Sequence, residues 1–178
     1  MATAYATTGP SSAADVRVRD CEPRDLDVVH ALHVDAVLHS TAIWQDEPNS
    51  RAWFDAWLSE RQRDGWPVVV AEVDGQVAGY ASYAQWRPNA GYRLTVEHSV
   101  YVLPEFRGRG VATVLMGALV GQARAEGRHV MMAGICSSNT VSIALHERLG
   151  FTTVAVVPEV GRKFGRWLDL TMMRLPLV

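Results

Sequence analysis

The chain has 178 residues and a mass of 19.6 kDa; 17 basic and 19 acidic side chains leave a formal charge of −2, 48% of residues are apolar, and mean hydropathy is near zero. That is room for one domain with a real core, and it excludes a disordered or repetitive chain, a polycationic nucleic-acid binder and a surface drawn to anionic membranes. No apolar run approaches a membrane span, and the two cysteines, Cys21 and Cys136, stand too far apart for a zinc ribbon or a disulfide scaffold, so a reducing, cytoplasmic setting is expected.

Residues 1–15 are rich in Ala, Thr and Ser and lack the basic head and apolar stretch of a signal peptide; they are expected to be a disordered tail ahead of a single domain over 16–178. Val16 and Val18 alternate with arginines as a short strand. Pro23 suits the first turn of a helix whose apolar face is Leu26, Val29, Leu32, Val34 and Val37. Thr41–Asn49 reads as a loop, packed inward by Ile43 and Trp44. A second helix is expected from Pro48 or Asn49 through Arg63, with Trp53, Phe54, Trp57 and Leu58 on one side. The period then changes to two: Pro67–Val73 and Gln76–Trp86 are strands joined by a type I′ turn at Asp74-Gly75. Arg87–Tyr92 is a polar loop and Arg93–Leu103 another strand. Val111–Glu126 is helical, His129–Ile135 a strand, Thr140–Leu149 a helix, and Phe151–Val157 and Trp167–Leu175 are the closing strands. This order argues for an α/β sandwich on a mixed sheet.

The segment Arg107-Gly108-Arg109-Gly110-Val111-Ala112-Thr113 joins a strand to a helix. Free amides of the first helical turn, with glycines that let a ligand approach, make such a loop an anion cradle. A Walker A loop would need Lys after its last glycine, which is missing. A dinucleotide fingerprint would need Gly or Ala where Thr113 stands, and an acidic residue where Cys136 stands. A coenzyme A pyrophosphate loop remains, beside a purely structural turn. His30 and His33 lie three apart on a helix, with His39 beyond, but no third ligand or HExxH motif accompanies them, so no metal is expected.

Arg107-x-x-Gly110-x-Ala112, after the strand His98–Leu103, resembles the acyl-CoA loop of the GNAT N-acetyltransferase superfamily, and Asn139, Ala144 and Leu149-Gly150-Phe151 resemble its next signature. The likeness runs in order over nearly all of 16–175. Thr95–Val102, Trp86-Arg87-Pro88 and Gly161–Asp169 are similar to the phosphinothricin and methionine sulfoximine (or sulfone) N-acetyltransferase group. The resemblance implies a mixed, mostly antiparallel twisted sheet flanked by helices, and an acetyl-CoA-dependent enzyme that acetylates the α-amino group of a small amino-acid analogue. It also implies detoxification, herbicide resistance and a homodimer. A non-catalytic acyl-CoA-binding module and a protein or peptide N-acetyltransferase are the competing readings.

Acetyl transfer to an amine needs a base for the ammonium, polarisation of the thioester carbonyl and a proton for the leaving thiolate. Strand alternation puts Thr95, Glu97, Ser99 and Tyr101 on one face and Val96, His98, Val100 and Val102 on the other. Glu97 is the candidate base, its pKa expected to be raised by partial burial; a carboxylate paired with an arginine at a sheet end is the plainer alternative. By resemblance, the main chain of Val100, Tyr101 and Val102 would run along pantetheine, and Gly108, Arg109, Gly110, Val111, Ala112 and Thr113 would hold the pyrophosphate. Asn139 would reach pantetheine or simply cap a helix. His146 stands where many members carry Tyr, as a leaving-group acid or a core histidine. Arg87, Pro88 and Asn89, with Glu97, His98 and Ser99, would surround the substrate, Arg87 meeting its anionic groups unless it is only a solvated loop charge.

Overall fold

The period-two segments pair into one seven-stranded sheet in the computed structural model, which describes residues 16–178; the tail expected over 1–15 lies outside the described residues. The strands are β1 (Val16–Asp20), β2 (Val68–Val73), β3 (Gln76–Gln85), β4 (Thr95–Val102), β5 (Val130–Cys136), β6 (Thr152–Lys163) and β7 (Arg166–Pro176), in spatial order β1-β2-β3-β4-β5-β7-β6. Every neighbouring pair is antiparallel except β4 and β5. Asp74 and Gly75 both have positive φ, 52° and 77°, as a type I′ turn between β2 and β3 requires.

Both faces of the sheet are covered, which is why β2 opens on three consecutive buried valines, Val68, Val69 and Val70. On one face, α1 (Leu26–His39) and α2 (Arg51–Arg63) bring Leu26, Val29, Leu32, Phe54 and Leu58 onto Val68, Val70 and Tyr80. On the other, α3 (Val111–Ala125) packs Leu115, Met116 and Leu119 on Val69, Ala71, Val96 and Met131. On the same face α4 (Thr140–Arg148) contributes Ile143 to this cluster. Each fully buried Leu or Met contributes roughly 1.5–3 kcal/mol to the fold.

The structure moves several expected boundaries. Helix α2 begins at Arg51 because the Ser50 hydroxyl accepts the Trp53 N–H at 3.2 Å. Asn49 is held outside the helix: its N–H donates to His33 Nε2 at 3.0 Å, and its carbonyl accepts from His30 Nε2 at 3.1 Å. The two histidines three apart on α1 thus anchor the α1–α2 connection. Strand β6 runs past Val157 to Lys163, because register shifts between Val157 and Gly161 take up the extra residues around Pro158. Trp44 lies against Gly161, where a Cβ would come within 2.1 Å of the indole, and the Lys163 ammonium donates to the Ile43 carbonyl. The α1–α2 loop is therefore fastened to the β6–β7 hairpin, packed inward as its apolar residues suggest.

The parallel pair does not stay paired. Thr95, Val96 and Glu97 match Val130, Met131 and Met132, after which β4 continues along β3 and β5 along β7. A fork opens beyond Glu97.

Candidate active site

The fork turns main chain into a binding surface. The Thr95 carbonyl accepts from Trp86 N–H at 3.0 Å and Leu103 N–H donates to the Ala78 carbonyl at 2.9 Å, so the odd-numbered positions of β4 bond to β3. The main-chain groups of His98, Val100 and Val102 then face the gap. An extended amide-bearing chain can bond there as an added strand. The cleft continuing from the gap encloses about 410 Å³, and its walls include Val100, Tyr101, Val102, Ala112, Asn139 and Ser142. The resemblance had grouped most of these residues, and the structure brings them together.

Beyond the cleft lies the glycine loop. Gly110 takes φ 83° as the N-cap of α3, a left-handed conformation that favours glycine, and no side chain caps the helix. The first-turn amides of Val111, Ala112 and Thr113 are left without helical acceptors. The Val111 side chain is in the core, so only its main chain is on offer. Arg109 departs from its expected place: its guanidinium lies over Phe106, 5.3 Å from the ring centre, and leans toward Asp74 at 3.8 Å. Arg107 lines the cleft instead, its Nε donating to the Val102 carbonyl at 3.1 Å and its Nη2 approaching Asp35 at 3.4 Å. The loop's free amides, the open β4 edge and Arg107 fit a pyrophosphate followed by a pantetheine arm. Asn139 Oδ1 accepts Ser142 N–H at 3.1 Å as the cap of α4, and the residue also lines the cleft.

Glu97 stands at the vertex of the fork, the last β4 residue paired with β5. Its carboxylate is directed across β5 at Gly134, where a Cβ would come within 3.3 Å of Oε1. A side chain at 134 would crowd the carboxylate. Glu97 and Gly134 line a cavity of about 180 Å³ with Trp86, Arg87, Leu170 and Met172. Although the residue opens to this cavity, surrounding protein raises its pKa above the ordinary carboxylate value, and the charge of Arg87 draws it partly back. Arg87 rests on Trp86 with its guanidinium carbon 5.0 Å from the ring centre. Pro88 and Asn89 do not reach this cavity; both are exposed, and the Asn89 carbonyl accepts from Gln85 at 3.2 Å.

His98 and His146 form a buried pair, 8% and 1% exposed, with their Nε2 atoms 3.0 Å apart. The Ser142 carbonyl, 2.7 Å from His146 Nδ1, can only accept, so Nδ1 carries the proton and Nε2 is bare. His98 must then donate through Nε2, and its Nδ1 is left as a buried acceptor without a protein partner. Burial lowers both pKa values, that of His98 to about 3. His146 thus turns Nδ1 to the Ser142 carbonyl and Nε2 to His98, the geometry of its core-histidine reading, and orients His98. Sequence alternation had put His98 on this face but could not reveal a partner 48 residues away.

The sequence model of the acetyltransferase (GNAT) family matches residues 29–151. An L-methionine sulfoximine/L-methionine sulfone acetyltransferase of Pseudomonas paraeruginosa is 52% identical over 165 residues, covering 90% of this chain and 94% of that protein. A phosphinothricin N-acetyltransferase of Alcaligenes faecalis is 35% identical over 161 residues, covering 90% and 82%. Among solved structures, an acetyltransferase of Salmonella typhimurium with its cofactor acetyl-CoA superposes with a TM-score of 0.89 at 47% identity, covering 92% of this chain and 95% of that one.

Proposed function

The chain belongs to the GNAT acetyltransferase family, and on that premise we propose that it acetylates the α-amino group of a small amino-acid analogue such as methionine sulfoximine, methionine sulfone or phosphinothricin. It is an N-acetyltransferase, and acetyl-CoA supplies an activated acetyl thioester. The observation that carries the substrate reading is the Glu97 carboxylate at the vertex of the strand fork, beside Arg87. A pure acyl-CoA-binding module has no need of a carboxylate there.

In this reading Glu97 takes a proton from the incoming ammonium, directly or through water, so that the amine has a lone pair for attack. Its raised pKa strengthens it as a base. The β4 edge and the first-turn amides of α3 hold the cofactor's arm and pyrophosphate, and Arg87 meets the acceptor's carboxylate. The tetrahedral intermediate expels the CoA thiolate, and the second proton, shed by the acylated nitrogen, reaches the sulfur directly or through water. Residues 16–178 act as one catalytic domain, and two buried free cysteines suit a reducing cytoplasm. A second copy completes the molecule: β6 is an edge strand with Val154, Val156 and Val160 exposed, beside exposed Trp167. Acetylation of such analogues would detoxify them, including as herbicides.

Thiol release from acetyl-CoA tests the reading against sulfone, sulfoximine and phosphinate amino acids and an N-terminal peptide. Release with the analogues alone is expected. Release with the peptide alone would replace the proposal with peptide acetylation.

A further inference from the structure

A further cavity, of about 290 Å³, lies between α2 and the β3–β4 pair. Its aromatic wall is continuous: Trp53 stacks on Trp57 with ring centres 6.2 Å apart, Trp57 meets Tyr80 edge-on at 6.3 Å, and Tyr80 lies 5.3 Å from Tyr101. Its polar lining comes from His33, Gln45, Asn49, Arg61, Ser82 and Ser99. Ser82 and Ser99, directly opposite each other across β3 and β4, both line it. Among the described residues its only wall residue with a permanent charge is Arg61.

Arg61 is unusual in its company. Its guanidinium carbon sits 5.6 Å from the Trp57 ring centre, and Nη1 donates to the Tyr83 carbonyl at 3.1 Å. Among the described residues it forms no ion pair; the nearby Asp64 is taken by Arg63. A guanidinium has five N–H donors, so most remain free. A half-buried cation against aromatic rings, with donors to spare and no carboxylate bonded to it among the described residues, suits an oxygen-bearing ligand.

The cavity is placed to be part of the same site. Ser99 also lines a small pocket with His98, Gly134 and Asn139, Gly134 in turn borders the Glu97 cavity, and Ser99 is two residues, roughly 7 Å, along β4 from Glu97. An amino acid whose amine is at Glu97 and whose carboxylate is at Arg87 has a side chain of about the length needed to enter here. We infer that this cavity takes the side chain of the acceptor, with its carbons against Trp57, Tyr80 and Tyr101 and its terminal sulfonyl, sulfoximine or phosphinyl oxygens on the Arg61 guanidinium. Arg61 then distinguishes an oxidised or phosphinate side chain from a plain thioether. The inference rests on the proposed function and goes further by assigning the specificity to a residue on α2.

Calorimetric titration of the protein with CoA bound tests this without requiring turnover. Methionine and methionine sulfone share a backbone and differ only in the terminal oxygens. The parent protein is expected to bind the sulfone at least about tenfold more tightly. Arg61→Met, which keeps an apolar stem over Trp57, should weaken the sulfone by about tenfold to a hundredfold and methionine by less than about twofold. Arg61→Lys, the milder variant, should give an intermediate loss confined to the sulfone. Equal weakening of both ligands would put the α-carboxylate on Arg61, and no weakening of either would empty the cavity of this role; each result overturns the inference. Selective binding without acetylation of the sulfone would overturn the proposed function and leave this inference standing.

Discussion

Glu97 and Arg87 are joined by electrostatics as well as by position, which gives a test that separates a substrate-binding arginine from a solvated one. Removing Arg87 takes away the charge that holds the Glu97 pKa down. In Arg87→Ala the acid limb of kcat/KM should therefore move to higher pH, while KM for the amino acid rises about ten- to a hundredfold and KM for acetyl-CoA stays within about twofold. An unmoved limb with unchanged KM would return Arg87 to the solvent. Much of the site at this scale was legible in the sequence. The alternation of Thr95–Val102 assigned Glu97 and His98 to opposite faces, and the Arg107–Ala112 segment located the loop. Arg61 was not found, because α2 was read for its aromatic face alone. Its spacing of four residues from Trp57 was the available signal, placing a cation over an indole. For His146 the sequence leaves acid and core histidine both open, because its position in the chain says nothing of a buried neighbour on another element.

At the scale of elements, the decisive feature is that β4 and β5 are parallel, pair for three residues and separate. Both strands were expected, but which partner each keeps is settled by the β3 and β7 ladders outside them. No local pattern encodes that. The fork depends on β4 lying tightly against β3. Gly79 permits this, since a Cβ there would come within 2.5 Å of the Tyr101 carbonyl. Gly79→Ala must push β3 away from the segment that forms the cleft wall. It should cost about 1–3 kcal/mol, a fall in Tm of roughly 2–12 °C, and weaken acetyl-CoA binding. Gly91→Ala, where a Cβ meets nothing within 4 Å, is the control and should change stability by less than about 0.5 kcal/mol. A Gly79→Ala protein as stable as the parent would mean that the two strands are not held so closely. The β6 extension to Lys163 has a related cause: Pro158 and Gly161 break the period-two pattern, but a bulged edge strand tolerates both.

At the scale of the whole molecule, three buried histidines set the pH dependence of stability. Burial lowers the pKa values of His33, His98 and His146, and the Asn49 amide and the His98–Ser142 chain need them neutral. Unfolded histidines titrate near 6.5. Below that pH the unfolded chain binds more protons than the fold, so stability present above about pH 6.5 is lost as pH falls toward 3. For His98, with its pKa of about 3, the cost at pH 5 is about 2 kcal/mol. Melting curves should show Tm falling from pH 7 to pH 5; a constant or rising Tm would contradict the buried neutral assignment. Acetyl-CoA binding to the fold should raise Tm by mass action, far more than NAD or ATP does. The account as a whole makes the fork a meeting place, with the cofactor held by main chain and the acceptor deprotonated by Glu97. The most direct measurement is kcat/KM against pH for Glu97→Gln, with acetyl-CoA-dependent stabilisation recorded on the same protein. The account predicts a loss of about a hundredfold or more at neutral pH, narrowing as solvent deprotonates the amine, with the Tm shift from acetyl-CoA retained. Near-parental rates across the whole pH range would contradict it.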